Sequence, residues 1–363
     1  MHRQERLAHA GHLQQWGGTR LVELADGAER GVRAVEFRTA AGLEFAALVD
    51  RGMDIAWARY QGRSLAWHSP TGFTAPAFRE VEGLGFLRGF GGGLFTTAGL
   101  DHILFPQVDP NDTYGYPARE ATEYGLHGRV SNTPASLRAY GERWDGDTCT
   151  LYAEGEVRQA GALAENLVLR RRIETTLDGR GIRWIDEVAN EGRRPGPHML
   201  LYHINLGAPL IGPSARLGIP SLGIEWATPT ADPSSGEHLL VTPPTRGFAE
   251  QAFLHRVAAA PDGTVEVAIV NEDDAQRPWG ISLRYRHDAM PHFLQWRLLD
   301  VGNYVVGLEP ATNGPTGRAA DRESGSLIVL EPDERRTYDT SITVLDGGEE
   351  CEAAMERVRA VGA

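Results

Sequence analysis

Apolar and polar residues alternate along much of the chain. Leu167, Leu169, Arg171, Ile173, Thr175 and Leu177 interleave with Val168, Arg170, Arg172, Glu174 and Thr176, a period of two that predicts a strand with its two faces in different surroundings. Asp178-Gly179-Arg180-Gly181 predicts a turn, and Ile182 to Val188 a second strand that answers the first. Val32 to Asp50 reads as another such pair, broken at Ala40-Ala41-Gly42. Thr148 to Val157, Val265 to Val270 and Ile281 to Arg286 continue the pattern, as does Leu327 to Leu345, turned at Glu331-Pro332-Asp333-Glu334. A helical period appears only near the C-terminus, where Cys351, Met355, Val358 and Val361 follow Asp346-Gly347-Gly348. Two Pro-, Thr- and Gly-rich segments, Ser69 to Gly83 and Ala227 to Glu250, have neither period and predict surface loops that would also form the rim of a cleft. Many strands with few helices predict an all-β sandwich or barrel. With no internal repeat and no linker-like composition, residues 1–363 are expected to form a single domain.

Composition narrows the function classes. Hydrophobic residues make up 41% and charged residues 23%, ordinary for a globular chain with a core. The net charge of −13 argues against a nucleic-acid partner, which would need clustered positive charge. No lysine occurs, so all 36 basic residues are arginines. A Schiff base to a carbonyl substrate, covalent pyridoxal phosphate and a Walker-type phosphate loop are therefore excluded. Cys149 and Cys351 are too few for a disulfide framework and form no metal motif, and no membrane-length apolar run occurs. The expected location is the cytoplasm, and both a monomer and a homodimer are compatible with the sequence.

One run stands out among the strands. Leu200-Leu201-Tyr202-His203-Ile204-Asn205-Leu206-Gly207 reads as a buried strand with Leu201, His203 and Asn205 on one face and Leu200, Tyr202 and Ile204 on the other. A lone histidine in such a run is most often a core residue with its hydrogen bonds satisfied. Here it has company, in His127 of Leu126-His127-Gly128-Arg129 and in Glu309 of Val305-Val306-Gly307-Leu308-Glu309-Pro310. With Asp50-Arg51-Gly52-Met53-Asp54-Ile55 and Arg88-Gly89-Phe90-Gly91-Gly92-Gly93-Leu94 running into Thr97-Ala98-Gly99-Leu100, these blocks resemble the galactose mutarotase-like (aldose 1-epimerase) superfamily. The resemblance spans most of the chain, from Arg51 to Pro310, and is strongest to an aldose 1-epimerase-like branch. It implies one large antiparallel β-sandwich, a supersandwich with few short helices and an open cleft on its concave sheet for a small-molecule sugar, and no cofactor or metal.

Interchanging the anomers of a reducing sugar requires a base to take the C1 hydroxyl proton and an acid to protonate the ring oxygen. The sequence reading places the two on either side of the sugar. A carboxylate and an imidazole suit those tasks at neutral pH, with Glu309 as base and His203 as acid. By resemblance, these two stand where mutarotases place the base and the acid, and His127 matches a histidine that hydrogen-bonds the sugar. Arg88 and Arg129 are candidate hydroxyl donors, since a guanidinium presents five N–H groups. Asn205 shares the His203 face, and Trp296, in Phe293-Leu294-Gln295-Trp296, offers an apolar face for a pyranose. Gly89 to Gly93 lacks the strand–turn–helix context of a dinucleotide loop. His198 and His203, five apart on a strand, point to opposite faces and make no metal pair. The alternatives are another sugar epimerase or lyase on the same scaffold, or a non-catalytic carbohydrate-binding protein. Tyr202-His203-Ile204-Asn205 replaces the Asn-His opening of better-known mutarotases, which leaves the sugar open.

Overall fold

The computed structural model describes residues 2–110, 120–273 and 277–362. Two large antiparallel sheets carry the fold. The twelve-stranded sheet runs, in spatial order, Gly18–Glu23, Arg33–Arg38, Leu43–Leu48, Asp54–Tyr60, Phe95–Leu100, Gly196–Gly207, Asn303–Ala311, His292–Asp300, Gln251–Val257 and Ser221–Ala227, with two short strands pairing off this path. The eight-stranded sheet runs Ala135–Asp145, Thr148–Ala160, Asn166–Thr176, Gly181–Asn190, Arg335–Asp346, Trp279–Arg286, Thr264–Asn271 and Ala215–Gly218. Phe45, Phe95, Tyr202, Ile204 and Leu308 from the first sheet and Leu169, Ile173, Trp184, Leu283 and Ile342 from the second share one buried cluster, the arrangement in which inward positions of two sheets interdigitate.

The period-two segments form strands as expected. Leu167, Leu169, Ile173 and Leu177 are all buried on the inward face, and the Asn166–Thr176 and Gly181–Asn190 strands pair across the 177–180 turn. The C-terminal helix, Gly348–Gly362, buries Cys351, Ala354, Met355 and Val358 against Ala268, Val270 and Leu345 on the outer face of the eight-stranded sheet. The 69–83 segment covers the outer face of the other sheet, with Phe73 packed on Val32, Ala34, Ala46 and Leu48. Both cysteines are free and buried. Among the described residues no helix is long and apolar enough to cross a membrane.

Three expectations need correction or addition. The 327–345 run does not fold back on itself. Ile328–Leu330 pairs with Gly196–Gly207, whereas Arg335–Asp346 lies between Gly181–Asn190 and Trp279–Arg286. The turn at 331–334 thus passes the chain between sheets, and only partner choice, to which a period-two pattern is blind, separates the two cases. Two seven-residue helices, Arg3–His9 and Arg318–Ser324, were not expected. Each is too short to show an apolar stripe, and their buried residues include the arginines Arg6 and Arg318. Finally, Arg171 sits among the inward leucines as the hub of a polar network. Its guanidinium bonds both Asp186 oxygens at 2.8 and 2.6 Å, Asp54 Oδ1 at 3.0 Å and Thr97 Oγ1 at 2.9 Å. Tyr202 donates to the same Asp186 at 2.6 Å.

Candidate active site

The central strand of the twelve-stranded sheet, Gly196–Gly207, is buried along nearly its whole length. Leu200, Tyr202, Ile204 and Leu206 face the sandwich core. Leu201 faces the other way, in a separate cluster with Ala98, Leu254, Leu294 and Ala311, and alternation puts His203 and Asn205 on that outer face with it. Ladder register does the rest. On one side His203 pairs with Thr96, and on the other Leu201 opposite Ala311 and Ile204 opposite Leu308 set position 203 beside position 309.

His203 Nε2 and Glu309 Oε1 are 3.2 Å apart, with their side chains only 8% and 4% exposed. Acid and base candidates thus stand side by side, not across a sugar from one another. Burial pushes the Glu309 carboxyl up to about 8, helped by the negative charge of Glu250. It pushes the His203 imidazole down to about 4, with Asn205 acting weakly the other way. Both shifts favour the neutral forms. At pH 7 the pair therefore holds one proton, on Glu309, and moving it to His203 makes the ion pair without changing the proton count. Glu309 Oε1 and His203 Nδ1 have no hydrogen-bond partner in the described protein, so both retain capacity for an incoming group.

Rings surround the imidazole. Phe90 lies 5.2 Å from it at 62°, Trp296 5.2 Å at 71° and His127 5.5 Å at 82°. Phe86 stacks on Phe90 at 5.0 Å and also meets His127, and Trp67 stands between Phe90 and Trp296. The turn that delivers His127 is left-handed, with φ of 59° at His127 and 73° at Gly128. A Cβ at 128 would lie 2.4 Å from the Gly99 carbonyl oxygen, so glycine is required there. Burial, with His203 and His102 nearby, holds the His127 ring neutral. Trp296 sits opposite Gly307, where a Cβ would come within 2.8 Å of Glu309 Oε1 and 3.0 Å of Trp296 Cβ. A bare backbone at 307 is what allows tryptophan and carboxyl to share the space.

The 227–250 segment does reach this rim, through Glu250, which accepts from Trp296 Nε1 at 2.7 Å. The Phe90 side is pinned by Arg51, whose guanidinium donates to the carbonyls of Thr74 and Gly89, each at 2.7 Å.

A family model described as a domain of unknown function, DUF4432, matches residues 29–344. The chain belongs to that family. No curated protein sequence matches it. Among solved structures, a provisionally assigned aldose 1-epimerase from Klebsiella pneumoniae superposes with a TM-score of 0.83 at 22% identity, covering 95% of this chain and 88% of that one. A galactose mutarotase-like protein from Clostridium acetobutylicum gives 0.58 at 14% identity, over 90% and 98%. A galactose 1-epimerase from Lactobacillus acidophilus gives 0.55 at 12%, over 91% and 99%. The fold is galactose mutarotase-like, as the sequence resemblance implies.

The structure brings together His203, Glu309, His127 and Trp296, with Asn205 beneath them. Asn205 is fully buried, and its amide donates to the His203 carbonyl at 2.8 Å and the Gly93 carbonyl at 3.2 Å. Arg129, two residues after His127, is 41% exposed and bonds Glu165 at 2.5 Å and Asp101 at 3.5 Å. Arg88 is not gathered in. Its side chain is 74% exposed and paired with Glu80. Sequence reasoning gave no role to Phe86, Phe90, Trp67, Arg51 or Glu250. Arg51 and Phe90 lie within the blocks that carried the resemblance, whereas Glu250 has no local signal. A surface depression of about 360 Å³ lies elsewhere, around Arg286, Arg336 and Asp339.

Proposed function

We propose that the chain is a cytoplasmic, carbohydrate-active isomerase, an aldose 1-epimerase that opens and recloses a reducing sugar by general acid–base catalysis with His203 and Glu309. The observation that carries this reading is the buried imidazole–carboxyl contact of 3.2 Å. Ring opening removes a proton from O1 and supplies one to O5. Both oxygens are bonded to C1, so donor and acceptor must be adjacent, and a pair in direct contact meets that demand.

With the proton on Glu309, the carboxyl protonates O5 while His203 accepts from O1. With the proton on His203, the roles are those expected from the sequence, Glu309 as base and His203 as acid. A sugar hydroxyl donating to the carboxylate would favour that second state. After rotation about C1–C2 the transfers reverse, so each group acts as acid in one half and base in the other. Atoms and electrons are conserved throughout, and the chemistry calls for no redox group. His127 and Arg129 serve as hydrogen-bonding groups for sugar hydroxyls, and the Trp296 and Phe90 rings offer apolar faces to the C–H side of a pyranose.

The test is anomer exchange followed by NMR across free hexoses, pentoses, deoxy sugars, sugar acids and sugar phosphates. Acceleration for one class, lost in both His203→Ala and Glu309→Gln, is the expected result. No acceleration for any sugar would overturn the reading. A product of new constitution would mean another epimerase or a lyase on this scaffold, and saturable binding without exchange would mean a carbohydrate-binding protein.

A further inference from the structure

Glu250 is an exposed residue at the end of an irregular segment, yet three observations tie it to the buried pair. Its carboxylate accepts from the indole of Trp296 at 2.7 Å, and that ring packs edge-on against His203 at 5.2 Å. Its backbone is fixed, because the Thr230 hydroxyl donates to the Glu250 carbonyl and Gln251, next in the chain, bonds the Thr230 carbonyl at 2.9 Å. Immediately after it begins the Gln251–Val257 strand, in which Ala252 pairs with Trp296. The titratable groups facing Glu309 are His203 on the neighbouring strand, His127 beyond that ring, and Glu250 on the Trp296 side. His203 and His127 are held neutral by burial. Glu250 then adds a negative charge on the Trp296 side of the carboxyl, and like charge opposes ionisation.

We propose that Glu250 is a positioning residue of this site: its carboxylate holds Trp296 against the His203 ring and sets a negative charge on the Trp296 side of the buried pair. The inference deepens the isomerase reading and rests on it only for its kinetic consequence. The sequence marks only the 227–250 segment as a rim and does not single out Glu250, because the residue acts from outside through a tryptophan and through space.

Two variants separate the two parts. Glu250→Gln keeps an oxygen that accepts from the indole but removes the charge, whereas Glu250→Ala removes both. Protonation of Glu309 is read by infrared difference spectroscopy of the carboxyl C=O stretch against pH, with Glu309→Gln identifying the band. Both Glu250 variants are expected to lower its midpoint by roughly half a unit to one unit, the effect of one partly screened charge. The alkaline limb of the exchange rate should move with it. An unchanged midpoint in Glu250→Gln overturns the electrostatic part.

Hydrogen exchange of the Trp296 indole N–H reads the positioning part. It should be about tenfold faster in Glu250→Ala, the loss of one hydrogen bond, and nearly unchanged in Glu250→Gln. Equal protection in all three proteins overturns that part. Both readouts remain decisive if no sugar exchanges, so failure of the isomerase reading and failure of this inference are distinct results.

Discussion

Replacing Glu309 with glutamine should make the protein more stable at neutral pH while abolishing its proposed chemistry. The buried carboxyl titrates near 8 instead of its ordinary 4.5. Between those values the unfolded chain has released the proton and the native chain still holds it, so the native state binds more protons and stability falls as pH rises through the window. Each unit is worth about 1.4 kcal/mol, which puts the penalty on the order of 3 kcal/mol at pH 7 and near zero at pH 4.5. Glutamine has the shape of the neutral acid and pays nothing of this kind. His203 contributes with the opposite slope between about 4 and 6.5. Because it is present in both proteins, its contribution largely cancels in the difference. Urea unfolding of wild type and Glu309→Gln at pH 5 and pH 7.5 measures the effect. The variant should gain about 2–3 kcal/mol at the higher pH relative to the lower. A difference that does not change with pH would mean Glu309 is ionised in the native protein, and the one-proton pair would be refuted.

The same two values fix a pH profile. The pair carries one proton between about 4 and about 8, so kcat/KM for sugar exchange should be bell-shaped with limbs there; a flat alkaline side to pH 10 would contradict it. Gly307→Ala drives a methyl group to within 2.8 Å of Glu309 Oε1 and should lower kcat/KM more than about tenfold through displacement of the carboxyl, measured alongside urea unfolding. Arg171→Met leaves Asp54 and Asp186 buried without their cation and should cost about 3–5 kcal/mol in urea unfolding, and a loss below about 1 kcal/mol would show the network to be dispensable. Arg88→Ala should change KM for the sugar less than about twofold, because its exposed pairing with Glu80 is of a kind that contributes little; a large rise in KM would restore it as a hydroxyl donor.

What the sequence made legible was whatever repeats locally. The Leu167–Leu177 alternation and the glycine-marked turn after it fixed two strands and their pairing, and the facing of His203 with Leu201 followed from the same periodicity. What it hid was identity of partners. Arg171 occupies an inward position like its leucine neighbours; Asp186 lies opposite it in the hairpin, but nothing local says that Asp54, 117 residues away, also arrives to meet it. For the same reason the 327–345 run read as two strands but not as two strands in different sheets. His203 and Glu309 were picked out by chemistry and resemblance, and their contact by the ladder. Glu250 and Phe90 act through a ring or a charge across space, and position in the sequence does not reveal that.

The two groups proposed for proton transfer are written into the pleat of neighbouring strands, whereas Phe90, His127 and Glu250 arrive on the segments that connect strands. These two parts of the site differ in what alteration they withstand. A one-residue insertion in Gly196–Gly207 or Asn303–Ala311 would turn His203 or Glu309 into the core and end the proposed chemistry. Connections, by contrast, tolerate changes in length and composition. Loop exchange with related sandwiches is therefore a direct engineering route: under the proposed function, the sugar accepted would follow the grafted loops, and the proposed proton transfer would stay with the sheet.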